Sequence, residues 1–304
     1  MFNLILFTIM EKQERISTFI GQHADEVNKG MFREKFENTL FDPNPKDVND
    51  KLVFIIRPMP FLKNPNKSLV GKNVCAFTDN LGTFLFDSRT TFNRPAENHY
   101  EFCEVSDVWL KLRNSKDPVV QNKTQFLRMR RENYAYVQII AYPSDPTMNG
   151  KMLPMRIPFE LVKLFNSMAR PSEQEVALGT KPVQAFDLYG GKEIKCTVIG
   201  KIVGAILMRE WKVEALGEPK EAQFPLGVNG AMTQMKQEDV LKYFEEAQNV
   251  DLETQYGYHE PVLDVKRRMK NYLARVVADV PGIREYVAGL FPEVTAAAAT
   301  DSNT

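Results

Sequence analysis

Residues 126–142 read FLRMRRENYAYVQIIAY, and this stretch constrains the fold of the chain more than any other. Successive side chains of a strand point to opposite faces. One alternate set, Leu127, Met129, Asn133, Ala135, Val137, Ile139 and Ala141, is mostly apolar and suits a core. The other holds Phe126, Arg128, Arg130, Tyr134, Tyr136, Gln138 and Tyr142, with Glu132 and Ile140 as exceptions. A strand divided in this way belongs to a sheet with one covered face and one face of cations and aromatic rings. Residues 107–113 repeat the arrangement: Val108, Leu110 and Leu112 fall on one side, and Asp107, Trp109, Lys111 and Arg113 on the other.

The neighbouring segments supply the rest of a sheet. KLVFIIRP, from Lys51, is apolar on both faces until Arg57, as in a central strand. CAFTDNLGTFLFD predicts a hairpin turning near Asn80-Leu81-Gly82. GGKEIKCTVIGKIVGAILMREWKVEAL is strand-like, with Cys196 facing a core beside Ile194 and Val198. Between strands, a helix opening at Pro158 carries Leu161, Val162, Phe165 and Met168 on one stripe. No strand texture is expected after Pro225. QEDVLKYFEEAQ is amphipathic through Val240, Leu241 and Phe244, and a later helix has Val262, Val265, Met269, Leu273 and Val276 as its stripe. Before the sheet, residues 11–41 read as two short helical pieces, the second with Phe32, Phe36 and Leu40 on one face. Pro43 and Pro45 then break regular structure.

The chain balances 39 basic against 39 acidic residues, so only the distribution of charge is informative. From 109 to 131, Lys111, Arg113, Lys116, Lys123, Arg128, Arg130 and Arg131 are opposed by Asp117 alone. A basic patch interleaved with flat rings is what single-stranded nucleic acid needs. Cations follow the phosphates, and each ring stacks on an unpaired base for about 1–3 kcal/mol. The competing reading is a solvated sheet face on which Arg and Lys stems cover aromatic rings.

Other chemistry is absent from the sequence. The three histidines, His23, His99 and His259, sit in no metal-binding spacing, and there is no Walker A, GxSxG or strand-linked GxGxxG motif. No enzyme, no cofactor and no metal is expected. Three cysteines do not make a disulfide framework and point to a reducing compartment. The apolar run MFNLILFTIM is too short for a membrane span, which takes about twenty residues, and lacks the flanks of a signal peptide. A soluble, intracellular protein is expected.

The run FLRMRRENYAYVQIIAYPSDPTMNGKMLPMRIPFELVKLFNSMARP resembles the single-stranded DNA-binding (helix-destabilising) proteins of T4-like bacteriophages. KLVFIIRPMP is similar to the family's first core strand, PVQAFDLYGGKEIKCTVIGKIVG to its late hairpin and QEDVLKYFEEAQ to the helix after its core. The resemblance implies an α+β chain whose core is an OB-fold-type antiparallel β-barrel, which binds oligonucleotides across its face and loops. It divides the chain into a helical, self-interacting arm (1–45), the core (46–217), a helical region (218–292) and a flexible tail (293–304). It implies a protein that coats unwound DNA cooperatively, without regard to sequence, during phage replication, recombination and repair in the cytoplasm of the infected bacterial host. Arg57, Lys123, Arg128, Arg130, Arg131, Tyr134 and Tyr136, with Trp109, Lys111 and Arg113, form the expected DNA-binding set. Arg15, Ser17 and Thr18 in ERIST resemble the family's motif for binding the next copy along DNA; a helix packed on its own core is the alternative for this arm. Replication proteins of the phage are further expected partners.

Two departures from the family stand out. Its structural zinc is held by one His and three Cys, whereas this region has only Cys75, His99 and Cys103. Its acidic C-terminal tail is missing, and a helix with Lys266, Arg267, Arg268, Lys270 and Arg275 on its polar side is found instead, either solvated or a further nucleic-acid contact. A phage structural or virion-packaged protein that uses a β-barrel as an interaction module is the alternative function.

Overall fold

The computed structural model describes residues 40–88, 103–127, 129–203, 206–226, 231–233 and 237–294. Seven strands form one antiparallel sheet: β1 (Lys51–Met59), β2 (Val70–Asp79), β3 (Gly82–Ser88), β4 (Met129–Ala141), β5 (Met152–Ile157), β6 (Glu193–Val203) and β7 (Ile206–Leu216). Strand β4 is its spine. Tyr134 pairs with Val70 of β2 and with Arg156 of β5, while Tyr136 pairs with Met59 of β1 and Pro154 of β5. A strand has two edges, so β1 and β2 lie end to end along one edge of β4, with β5 along the other. Beyond β1 come β6 and then β7, and beyond β2 comes β3.

This is a mixed helix-and-strand fold with an open sheet. Among the described residues no ladder joins β5 to β7, so the closed barrel expected from the sequence is not formed by strand pairing. Residues 41–42 touch both of these edges: Phe41 bridges to Met155 of β5, and Asp42 pairs with Arg209 of β7. The helix after β5, α3 (Phe159–Ala169), packs against β7. Pro158 is its N-cap residue, just outside the position expected, and Leu161, Val162 and Phe165 are buried.

Three apolar clusters hold the molecule. One lies on the face of β4 that carries Ala135, Val137 and Ile139, together with Phe54, Ile56, Ile194, Cys196, Val198 and α3. The opposite face of β4 carries Tyr134 and Tyr136 into a second cluster, with Phe244 of α5 (Gln237–Ala247), and with Leu252 and Tyr256 of α6 (Leu252–Tyr256). The third fills the space between the β2–β3 hairpin, α1 (Glu104–Arg113), α7 (Leu263–Val276) and α8 (Pro281–Ala288). The short helices α2 (Pro118–Asn122) and α4 (Glu173–Ala177) complete the described set of helices.

Several expectations require correction. Residues 105–113 are a helix and not a strand: Val105, Val108 and Leu112, spaced by three and four, are buried, while Leu110 is 41% exposed. Strand β4 begins at Met129, because Phe126 and Leu127 belong to a 3-10 turn, Lys123–Leu127. A short hairpin of β8 (Phe224–Leu226) and β9 (Ala231–Thr233) continues strand structure past Pro225. On α7 the buried positions are Arg268, Met269 and Leu273, followed by Val277, whereas Val262 is exposed. The β2–β3 turn is where it was expected. Asp79 pairs with Gly82 across Asn80-Leu81, and the left-handed φ of +112° at Gly82 favours glycine. The helical pieces expected in residues 11–39, and the tail from 295 onward, lie outside the described residues. Among the described residues no helix is long and apolar enough to cross a membrane.

Candidate nucleic-acid interface

The aromatic face of β4 is not a surface. The Tyr134 ring stacks on Tyr256 with centroids 4.4 Å apart and planes 11° from parallel, and its hydroxyl donates to Glu132 at 3.0 Å. The Tyr136 hydroxyl donates to the Val250 carbonyl at 2.7 Å and accepts from the Val250 N–H at 3.1 Å. Burial pushes its pKa up to about 12. Gln138, next on this face, is also fully buried. Helices α5 and α6 supply the cover. Base stacking on Tyr134 or Tyr136 is therefore blocked in this fold, contrary to expectation.

Arg57 is equally inaccessible, at 1% exposure. Its Nη2 donates to the carbonyls of Asp187, Leu188 and Lys220 at 3.0, 3.1 and 2.8 Å. Burial lowers its pKa, opposed by the nearby carboxylates of Glu193, Asp187 and Glu221. Gly191 makes the approach possible, since a Cβ there would sit 2.5 Å from the Asp187 carbonyl and 3.1 Å from Nη2. This arginine ties β1 to two loops and has no exposed charge to offer a phosphate.

The exposed members of the set gather at the other end of β4 and on the helices before it. Helix α1 packs against α2 and against the 3-10 turn that leads into β4. On α1, the Arg113 guanidinium lies 5.0 Å from the Trp109 ring centroid, and Lys111 lies over Tyr286 at 4.3 Å and 3.6 Å from Asp107. Helix α2 starts cleanly because the Asp117 side chain accepts from the Val119 N–H and Pro118 takes the first turn. Beside Trp109 opens a cleft of about 400 Å³, lined also by Asn122, Thr124 and Gln125. Phe126 follows with half its surface exposed.

At the start of β4, Arg130 is exposed and shares the buried Glu132 carboxylate with Arg156, each at 3.0 Å. Arg131 is exposed, and Arg128 lies outside the described residues. Lys123 is tied to Asp279 at 2.8 Å, which holds that carboxyl below its usual range. Trp109, Arg113, Arg130 and Arg131 thus keep accessible rings and charges, though not on the common sheet face expected. Asn122, Thr124 and Gln125 were missed: NKTQ matches no motif, and only the fold brings it beside an indole.

Cys75 and Cys103 are buried in the third apolar cluster, and burial pushes the Cys75 thiol up. His99 lies outside the described residues, and among those described no three potential ligands gather as a metal centre. Arg15, Ser17 and Thr18 also lie outside them. On the basic helix, Lys266 pairs with Glu260 and Glu293 at 2.6 and 3.0 Å, and Arg268 is buried, so two of its five cations serve the fold. No family model matches the chain, and no curated protein matches it.

Proposed function

We propose that this is a non-enzymatic protein that coats single-stranded DNA, acting in phage replication, recombination and repair within the cytoplasm of an infected bacterial host. The observation that carries the reading is the corner formed by α1, α2 and the start of β4. Trp109 borders an open cleft there, Phe126 is half exposed, and Arg113, Lys116, Arg130 and Arg131 are exposed along the same stretch of chain. Rings with cations beside them suit unpaired bases joined by phosphates. The OB-type barrel belongs to this proposal: β5, β4, β1, β6 and β7 follow one another, and residues 41–42 link the two open edges.

Titrating a labelled dT-rich oligonucleotide across salt tests it. Log K should fall linearly with log salt, by about 0.7 per phosphate neutralised, and the duplex of the same length should bind much more weakly. The β6–β7 hairpin favours the second reading, an interaction module of a phage particle. Pairing of β1 with β6 stops at Ile199, and beyond it Ile202, Val203 and Met208 are at least half exposed. A protein of that kind shows neither tight binding nor preference for single strands.

A further inference from the structure

We propose that the cleft beside Trp109 seats one unstacked base and reads its edge, with a preference for adenine. The proposal rests on the single-strand-binding reading and adds to it one position at which the strand is not read uniformly. The cleft volume of about 400 Å³ falls in the range of small-ligand clefts, roughly 300–1,000 Å³. Its wall is an indole, and its remaining lining is polar: Asn122, Thr124 and Gln125.

The polar groups around this cleft divide into two kinds. Gln121 donates its Nε2 to the Ser115 carbonyl at 2.6 Å, and the Thr124 hydroxyl donates to the Gln121 carbonyl at 2.7 Å. Those two hold the loop in shape. Asn122 and Gln125 are exposed, and among the described residues their amides make no side-chain hydrogen bond. The fold therefore presents two primary amides, three residues apart, around one aromatic wall.

An amide offers a donor and an acceptor side by side. Adenine presents the complement on two edges, at N6–H with N7 and at N6–H with N1. Guanine presents it at N1–H with O6 but shows two acceptors, O6 and N7, on its other edge, which repel the amide oxygen. Pyrimidines also offer donor–acceptor pairs, but their smaller rings stack less on an indole, and stacking strength sets such preferences. Arg113, exposed beside the Trp109 ring, is placed to meet a phosphate of the strand.

The test compares (dT)12 with the same strand carrying a single central dA or a single dG, at one salt concentration. The dA strand should bind about fivefold tighter or more than (dT)12, and the dG strand should gain less. Asn122→Ala with Gln125→Ala should abolish the dA gain, so that the variant binds the dA strand and (dT)12 alike within about twofold. Both residues are exposed, so thermal unfolding of the double variant should match the parent. Tight but equal binding of all three strands by the parent overturns the base-reading cleft alone, as does a dA gain that survives in the double variant. Binding of none of the strands overturns the single-strand reading and the cleft with it.

Discussion

Arg268 of α7 grips Asp79, the last residue of β2, with hydrogen bonds of 2.9 and 2.7 Å across 189 residues of sequence. Both side chains are 6% exposed. The same guanidinium donates to the Gly82 carbonyl at 2.9 Å and lies 4.3 Å from the Phe84 ring centroid. A C-terminal helix thus clamps the tip of the β2–β3 hairpin, and Met269 and Leu273, on the same helix, fill the core beneath it.

Removing one partner leaves the other charge buried and uncompensated, which costs about 3–5 kcal/mol. Arg268→Met should therefore destabilise the protein by about that much in urea at pH 7. The hydrogen bond from Arg268 holds the Asp79 carboxyl below the usual carboxylate range. A depressed folded pKa gives stability that is complete above the unfolded value, about 3.9, and is lost as pH falls through the folded one. The gap between the parent and Asp79→Asn should thus shrink below about pH 4. A gap unchanged between pH 7 and pH 3 would show that the carboxylate is not its source.

The β4 tyrosines should behave as core residues. Tyr136→Phe removes the hydroxyl that pairs with the Val250 N–H and carbonyl, and should cost about 1–3 kcal/mol of stability. Tyr134→Ala should cost about 3–5 kcal/mol, the range for a buried aromatic ring. In the folded fraction, affinity for single strands should stay at the parent value for both. A variant that melts like the parent but binds DNA tenfold more weakly would place these rings on the DNA after all.

Much of the sheet was legible in the sequence, because alternation reports one covered face reliably. Ala135, Val137 and Ile139 are buried as their spacing requires, and Asn80-Leu81 turns the hairpin as its residue types require. What alternation does not report is a second cover. A tyrosine hydroxyl looks like a solvent position until a partner 114 residues away satisfies it, as Val250 does for Tyr136. Arg57 was hidden in the same manner, by carbonyls 130 and 163 residues away. Helix α1 failed for a different reason. Val108, Leu110 and Leu112 fit a strand, Val105, Val108 and Leu112 fit a helix, and a segment this short satisfies both periods.

Charge reversal at the corner separates the accessible cations from the buried one. Arg113 and Arg130 are both exposed, and Glu132 keeps Arg156 and the Tyr134 hydroxyl when Arg130 is lost. Arg113→Glu with Arg130→Glu should lower single-strand affinity by more than tenfold and flatten the salt slope by about 1.4, or 0.7 per phosphate. Arg57→Met should instead lower stability and leave the slope alone, since its guanidinium bonds only to carbonyls. Equal slopes for the parent and the folded double variant would move the interface elsewhere on the molecule.

Coating a long strand requires a contact between copies outside the groove that holds the DNA. The described chain begins at Leu40 and Phe41, on the outer edge of β5, whereas the Trp109 cleft is built by α1 and the turn before β4. A segment tethered at the β5 edge starts from a different element of the fold than the proposed strand site. Arg15, Ser17 and Thr18 lie in that segment, and DNA that lines copies up raises the effective concentration of each arm at its neighbour. Deleting residues 1–20 should leave affinity for an oligonucleotide of one site within about twofold of the parent, because no strand contact is removed. On long single strands the parent should bind in a sigmoidal, clustered manner and the deletion variant independently. Should thermal stability or single-site affinity fall instead, the segment packs on its own core and the contact between copies is made by another surface.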